Sequence, residues 1–268
     1  PCAGHEPGYL CAGTGVKGTG MMRRNAIRAM AGLALMALGA CATPAPEGEL
    51  IADPFEQTNR EIHEFNVGVD QVLLRPVTVL YDNATPDLVK LLVGNAVDHI
   101  RLPLIAVNEL LQGRALDALA TVGRFGVNTI GGAGGLLDPA TEFGLPLDDT
   151  DFGETLHVWG ASEGPYVVLP LLGPATGRDA VGRGVDFVIN PTFLVAPGSG
   201  SGATAITVSR IAVPIVKDRY RAFDIIDEAF YESEDSYVTT RSLFVQNRRR
   251  ALDRGEIDPE TLPDIFGQ

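Results

Sequence analysis

Gly160-Ala161-Ser162-Glu163-Gly164 matches G-x-S-x-G, the pattern in which a sharp turn lifts a serine nucleophile above a sheet. Thr155–Trp159 reads as a strand leading into that turn. The helix that must follow is missing, because Gly164-Pro165 and the apolar run Tyr166–Leu172 stand in its place. Hydrolases of this type take their histidine from late in the chain, whereas His5, His63, His99 and His157 all precede Ser162. No alternating strand–helix pattern supplies a sheet. A serine lipid hydrolase using Ser162 stays as an alternative, and the first reading assigns no catalytic residue.

Other candidate chemistry is thinner. His63-Glu64 is followed by Phe65, Asn66 and Val67 with no second histidine, so the zinc helix pattern is absent. Gly132-Ala133-Gly134 begins a dinucleotide loop, but Leu137 occupies the place of its third glycine. Leu147-Asp148-Asp149-Thr150-Asp151 is acidic yet lacks the glycine and distal glutamate of a calcium loop. The reading therefore expects no metal and no cofactor. Cys2 and Cys11 lie in a Gly-rich stretch without methionine, residues 1–20, read as a leader upstream of a start at Met21 or Met22. That leaves Cys41 as the one cysteine of a processed chain, with no disulfide to make.

The elements that must position these residues begin with a targeting segment. Arg23, Arg24 and Arg28 form a basic region, and Ala29–Ala37 an apolar one too short to span a bilayer, which takes about 20 residues. Leu38-Gly39-Ala40-Cys41 then fits a lipobox, with residues 21–40 as signal peptide and Cys41 as the acylated N-terminus. Two or more acyl chains anchor stably where one does not. Ala42 after Cys41 favours sorting to the outer membrane. Residues 41–52 read as a tether.

From Asp53 the pattern turns helical. Asp53 is placed as a cap, Pro54 in the first turn and Glu56 at the capping-box position. Phe55, Ile62, Phe65, Val69, Val72 and Leu73 form one stripe, which Pro76 should kink or end. A second helix opens at Thr85-Pro86 and ends near His99. A third runs from Leu102-Pro103 to Leu111, closed by Gly113. A fourth covers Ala115–Val127 with Leu116, Leu119, Ala120 and Val122. Short connections imply antiparallel neighbours. Later helices are expected over Asp179–Ile189, 203–213, 215–231 interrupted ahead by Pro214, and 236–254. Pro197–Gly202 reads as a loop, and 255–268 as a mobile tail. For Arg248-Arg249-Arg250 the plain reading is complement to a helix C-terminus, the sharper one contact with lipid headgroups.

Gly123–Asp179 organises the rest. It is rich in glycine, proline and apolar residues, and a long apolar connection needs something apolar to lie against. Its matching residues are Arg124-Phe125, Asn128-Thr129, Gly134-Gly135, Asp138-Pro139, Asp151-Phe152-Gly153, Thr155-Leu156, Trp159-Gly160, Gly164-Pro165-Tyr166, Leu169-Pro170, Gly173-Pro174 and Arg178-Asp179. Upstream, Asp53-Pro54-Phe55-Glu56, Asn59-Arg60, Phe65-Asn66, Asp70, Leu74-Arg75-Pro76, Asn108, Leu110-Leu111 and Gln112-Gly113 match as well. On these residues, over about Asp53–Arg254, the chain resembles the MlaA (VacJ) family of outer-membrane lipoproteins.

The resemblance implies an all-α, ring-like domain with an irregular Gly/Pro-rich hairpin segment, held in one membrane leaflet. It implies a non-enzymatic conduit that takes mislocalised phospholipid from the outer leaflet of the outer membrane and passes it to a periplasmic lipid carrier of the MlaC type, beside a trimeric porin. It places a gate hinge at Gly131, Gly132, Gly134 and Gly135. Phe143, Trp159 and Tyr166 are taken as channel or interface residues. A porin-scaffolding lipoprotein remains open beside the conduit. The formal charge of -13, or -16 from residue 41 onward, argues against nucleic acid, while mean hydropathy is still +0.11.

Overall fold

The structure, a computed structural model, describes residues 50–190 and 212–253. Helices dominate. They are α1 (Glu56–Val69), α2 (Arg75–Ala84), α3 (Asp87–Leu111), α4 (Ala115–Ile130), the single turn α5 (Pro139–Glu142) and α6 (Phe152–Val158). A hairpin of β1 (Tyr166–Leu169) and β2 (Gly173–Thr176) follows, then α7 (Gly177–Ile189), α8 (212–221), α9 (Phe223–Asp227) and α10 (Ser236–Leu252). The all-α expectation holds, with one antiparallel ribbon pairing Tyr166 with Thr176 and Leu169 with Gly173. The signal peptide, Cys41, the Pro197–Gly202 loop and the 255–268 tail lie outside the described residues, as does most of the helix expected over 203–213.

Prolines mislead twice. Asp70–Leu74 is a π turn joining α1 to α2, and Pro76 sits in the first turn of α2. The π turn slips the hydrogen-bond register just ahead of the proline, so the chain continues helically past it. Pro103 lies inside α3, which runs unbroken from Asp87 to Leu111 where two helices were expected. Its flanks Val97, Leu102, Ile105 and Ala106 are all buried, so packing outweighs the lost backbone bond. Thr155–Trp159 is also a correction: Asp151 caps it by accepting from Glu154 N at 2.8 Å, and it is helical rather than a strand.

The apolar core is small. Ile51, Tyr166, Val168, Tyr237 and Val245 form it, with Ile62 and Phe244 against its side. Ile51 and Ala52 were assigned to the tether, but both are buried, and Tyr166 N donates to Ala52 O at 2.8 Å. Asp53 does not cap α1. Its carboxylate instead accepts from Asn59 Nδ2 at 2.8 Å, from Arg241 Nη1 at 2.9 Å and from the Tyr237 hydroxyl, pinning the chain's entry to α10.

α1 also stands in for a third strand. Asn59 donates to Tyr166 O at 3.1 Å and accepts from Val168 N at 2.9 Å. Two turns on, Asn66 donates to Leu169 O at 3.0 Å and accepts from Leu171 N at 2.7 Å. Two asparagines thus satisfy the outer edge of β1, which would otherwise present open backbone groups. The second one also holds Leu171 at φ 64°, a left-handed conformation costly for leucine.

Candidate functional site

On α1, α2 and α4 the amphipathic faces are exchanged. On α1 and the π turn that follows it the inward positions are Asn59, His63 and Asp70, while Phe65, Val72 and Leu73 point outward. On α2 Thr78 is buried and Val77, Val79 and Leu80 are exposed. On α4 the buried residues are Ala118, Thr121, Arg124 and Asn128. Its opposite stripe is bare: Leu116 is 82% exposed, Leu119 67% and Ile130 88%. Among the described residues, 20 polar or charged residues are buried against 14 apolar ones, and 33 large apolar residues are exposed. A water-facing surface carries such residues singly, and contiguous apolar area marks a lipid or partner interface. Of the stripes read from the sequence, Phe65, Val72, Leu73, Leu116, Leu119 and Val122 face away from the protein's interior, whereas Ile62 packs against the core.

Charge follows the same division. From Ala118 to Leu137 the one ionisable side chain is Arg124, and it is buried. Arg124 donates to Asp138 Oδ2 at 2.6 Å, to Thr141 Oγ1 at 3.0 Å and to the Leu145 carbonyl. Asn128 donates to Asp138 Oδ1 at 2.9 Å and accepts from Ala140 N at 3.0 Å. Burial opposes ionisation of Asp138, but the bonds from Thr141 and Asn128 and the Arg124 guanidinium outweigh it and hold its carboxyl below the ordinary range. A stretch of twenty residues therefore exposes no unpaired charge. Among the described residues no helix is long and apolar enough to cross a membrane.

The interior is a chain of paired polar groups. Asn108 donates to Asp186 Oδ1 at 3.0 Å and accepts from Thr155 Oγ1 at 3.1 Å. Gln112 Nε2 donates to Thr150 and Thr155, and Thr150 donates to Glu154. Arg248 donates to Asp151 at 2.8 Å and to Asp179 at 2.8 Å. It is thus an internal bridge from α10 to α6 and α7, which corrects both readings of the arginine run for this member. Arg249 bonds Glu163 at 2.9 Å and the Leu50 carbonyl at 2.6 Å. A cation at Arg248 has no room beside it for anything larger than glycine: a Cβ on Gly153 would lie 2.8 Å from Arg248 Nη2 and 2.6 Å from Asp179 Oδ1.

Glu109 breaks the pattern. It is fully buried on α3, and neither carboxylate oxygen meets a hydrogen-bond partner. Burial pushes its carboxyl above the ordinary value of 4.5, with the Arg114 charge pulling the other way. The folded state then binds the proton more tightly than the unfolded one, so stability falls as pH rises from the ordinary carboxylate range towards the raised value. Glu109→Gln should gain about 1 kcal/mol at pH 8 and nothing at pH 4, read from urea unfolding of both chains at the two pH values.

The sequence-derived site residues separate. Gly131–Gly135 form the tight turn after α4. Gly134 N donates to Thr129 O at 3.0 Å and Gly135 N to Asn128 O at 2.9 Å, with Gly134 at φ 74° and Gly135 at φ 91°. Gly132 is wedged, since a Cβ there would lie 2.4 Å from Leu137 O. Phe143 and Trp159 are on the surface, and Trp159 Nε1 donates to Leu111 O at 2.9 Å. Tyr166 is a correction, being wholly buried in the core cluster, where it meets neither lipid nor lumen.

Ser162 lies in a cleft of about 390 Å³ with His157, Glu163, Arg178 and Arg249. Its surroundings are a helix before and a strand after, the reverse of a nucleophile elbow. His157 Nδ1 accepts from Arg178 Nη1 at 3.3 Å, so its basic nitrogen is turned to a cation. Missed at the sequence level were the inward polar residues, although Asn59, His63, Asn66 and Asp70 recur at intervals of 4, 3 and 4, which is one helical face.

A family model described as "MlaA lipoprotein" matches residues 51–251. A protein of Rickettsia bellii (strain RML369-C) is 36% identical over 203 residues, covering 75% of this chain and 77% of that one. The "Intermembrane phospholipid transport system lipoprotein MlaA" of Escherichia coli (strain K12) is 30% identical over 242 residues, 87% of this chain and 93% of the relative. A solved structure from "Structural basis for maintenance of bacterial outer membrane lipid asymmetry" superposes with a TM-score of 0.63 at 28% identity, covering 75% of this chain and 99% of the other.

Proposed function

Because the chain belongs to the MlaA lipoprotein family, we propose that it is a non-enzymatic phospholipid transport protein of the outer membrane. The observation that carries this reading is the exchanged amphipathicity: apolar stripes of α1, α2 and α4 outside, paired polar groups inside. Helices satisfy their own backbone bonds, so short ones lie within a single leaflet at no backbone cost. Acylation at Cys41 would hold the domain there.

On this reading the domain is ring-like and sits in the periplasmic leaflet, and mislocalised phospholipid from the outer leaflet passes through it. On the same reading the headgroup follows a polar route and the tails apolar walls, with release to a periplasmic carrier of the MlaC type. A trimeric porin is the neighbour that the family suggests. Gly131–Gly135 is the moving part. Proline at Gly134 would remove the amide bonded to Thr129 O and forbid φ 74°, so alanine is the milder substitution.

The test is transfer from nanodiscs. The acylated chain is incubated with labelled phospholipid and a soluble carrier, and extracted lipid is separated. Intact lipid on the carrier is the expected product, with Gly134→Ala changing its rate several-fold while helicity is kept. Lysolipid that disappears in Ser162→Ala would replace the conduit with a hydrolase. Neither transfer nor cleavage would leave the porin scaffold.

A further inference from the structure

α3 presses a histidine into the glycine turn. The His99 ring stacks on Phe125 of α4 with centroids 4.6 Å apart and planes 1° from parallel. Its edge lies so close to Gly135 that a Cβ there would be 2.3 Å from the ring. Thr129 Oγ1 donates its only proton to Phe125 O at 2.6 Å, so at 3.2 Å His99 Nε2 must be the donor to that oxygen. Nδ1 is then the bare nitrogen, buried and without a partner. One helical turn earlier, Asn95 Nδ2 donates to Leu136 O at 3.0 Å, holding the far side of the same turn.

We propose that His99 is the bolt of the glycine turn, a positioning residue whose neutral ring keeps Ala133–Gly135 in left-handed backbone. The proposal rests on the reading of that turn as the moving part. Three successive residues have φ of 54°, 74° and 91°, and the first is alanine. Such backbone persists only where its surroundings enforce it. The enforcing contacts are the ring edge on Gly135, the Asn95 bond, and the two amide bonds to Thr129 O and Asn128 O. A charged ring does not fit this seat. A proton on Nδ1 finds no acceptor; the facing charge on α4 is Arg124, and Asp138, just past the turn, is already engaged by it. The turn itself carries no ionisable residue. On α3 itself, Asp98 is engaged by Lys217 and Arg221, and Arg101 by Asp149. Burial and Arg124 accordingly push the His99 imidazole below its ordinary value. Acidification withdraws the bolt and frees the turn.

Amide exchange in nanodiscs tests this directly, because Gly134 and Gly135 N–H report closure without any transport measurement. Protection factors, corrected for intrinsic pH dependence, are followed from pH 8 to 4.5. The wild-type chain should lose at least tenfold protection at these two amides as pH falls, with α10 unchanged. His99→Phe keeps the stack and cannot titrate, so its protection should stay level across the range. His99→Ala should lose at least tenfold at every pH. Protection in His99→Ala equal to wild type, or a wild-type pH profile reproduced by His99→Phe, overturns the bolt. If the profiles behave as expected while Gly134→Ala leaves lipid transfer unchanged, the bolt stands and it is the role of the turn in transport that fails.

Discussion

Arg219→Met should cost about 3–5 kcal/mol of folding stability, the range for removing one partner of a buried ion pair. Arg219 and Asp70 are each 4% exposed in their side chains and form a two-pronged pair at 2.8 and 3.0 Å. Asp70 lies in the π turn that lets the helix past Pro76. The Tyr231 hydroxyl, from a second π turn (Glu228–Glu232), donates to Asp70 Oδ2 at 2.8 Å. Asp227 closes the cluster, accepting from Arg219 and, at 2.9 Å, from Arg75. Removing the guanidinium strands a buried carboxylate between two irregular turns, and one hydroxyl does not replace it. Unfolding in urea, with Arg219→Met/Asp70→Leu beside it, measures the effect. The double variant should recover part of the loss, because the unpaired charge is gone. A loss under about 1 kcal/mol would class the pair with solvent-screened surface bridges and contradict its burial.

Leu119→Lys should leave the fold intact and weaken membrane binding on the order of a hundredfold. At a surface facing water, such a change shifts stability by no more than about 0.5 kcal/mol. In the acyl region a lysine costs about 2.5–3.5 kcal/mol, and every 1.4 kcal/mol is tenfold in partition. Leu119 stands in the second turn of α4, between Leu116 and Val122 of the bare stripe. The comparison is flotation with vesicles of the unacylated chain, Cys41→Ser with and without Leu119→Lys, so that the anchor does not mask the difference. Equal flotation would mean that this stripe faces water or another protein.

Helix identity was legible because apolar spacing and stop signals agree with the fold. Pro86 precedes α3, Gly113 separates α3 from α4, and Asn190-Pro191 follows α7. Facing was not legible from periodicity. A stripe such as Leu116, Leu119 and Val122 gives the same period whether it packs on a core or on lipid. The distinction lay in the opposite face, where Thr121, Arg124 and Asn128 are too polar for an outer face in acyl chains. The long charge-poor run Ala118–Leu137 carried the same message. Tyr166 was misassigned for a related reason: a residue in an irregular, apolar segment was read as surface, but the segment is a hairpin whose inner side packs on α10. Arg248 was misread because its partners, Asp151 and Asp179, are 97 and 69 residues away. No local pattern announces pairs at that distance. Among the residues that carried the family resemblance, Asn59, Asn66, Asp70, Arg124, Asn128 and Asp138 are internal bonds of the scaffold.

The central claim is that the outer face of α4 lies among acyl chains. Nitroxide labels at positions 116, 119, 122 and 130, one at a time in vesicles, measure it through collision with oxygen and with a water-soluble nickel complex. The account predicts high oxygen and low nickel accessibility at all four, with a label at Asp117 showing more nickel contact than its neighbours. Free access of nickel at all four positions would place the stripe in water and contradict the account.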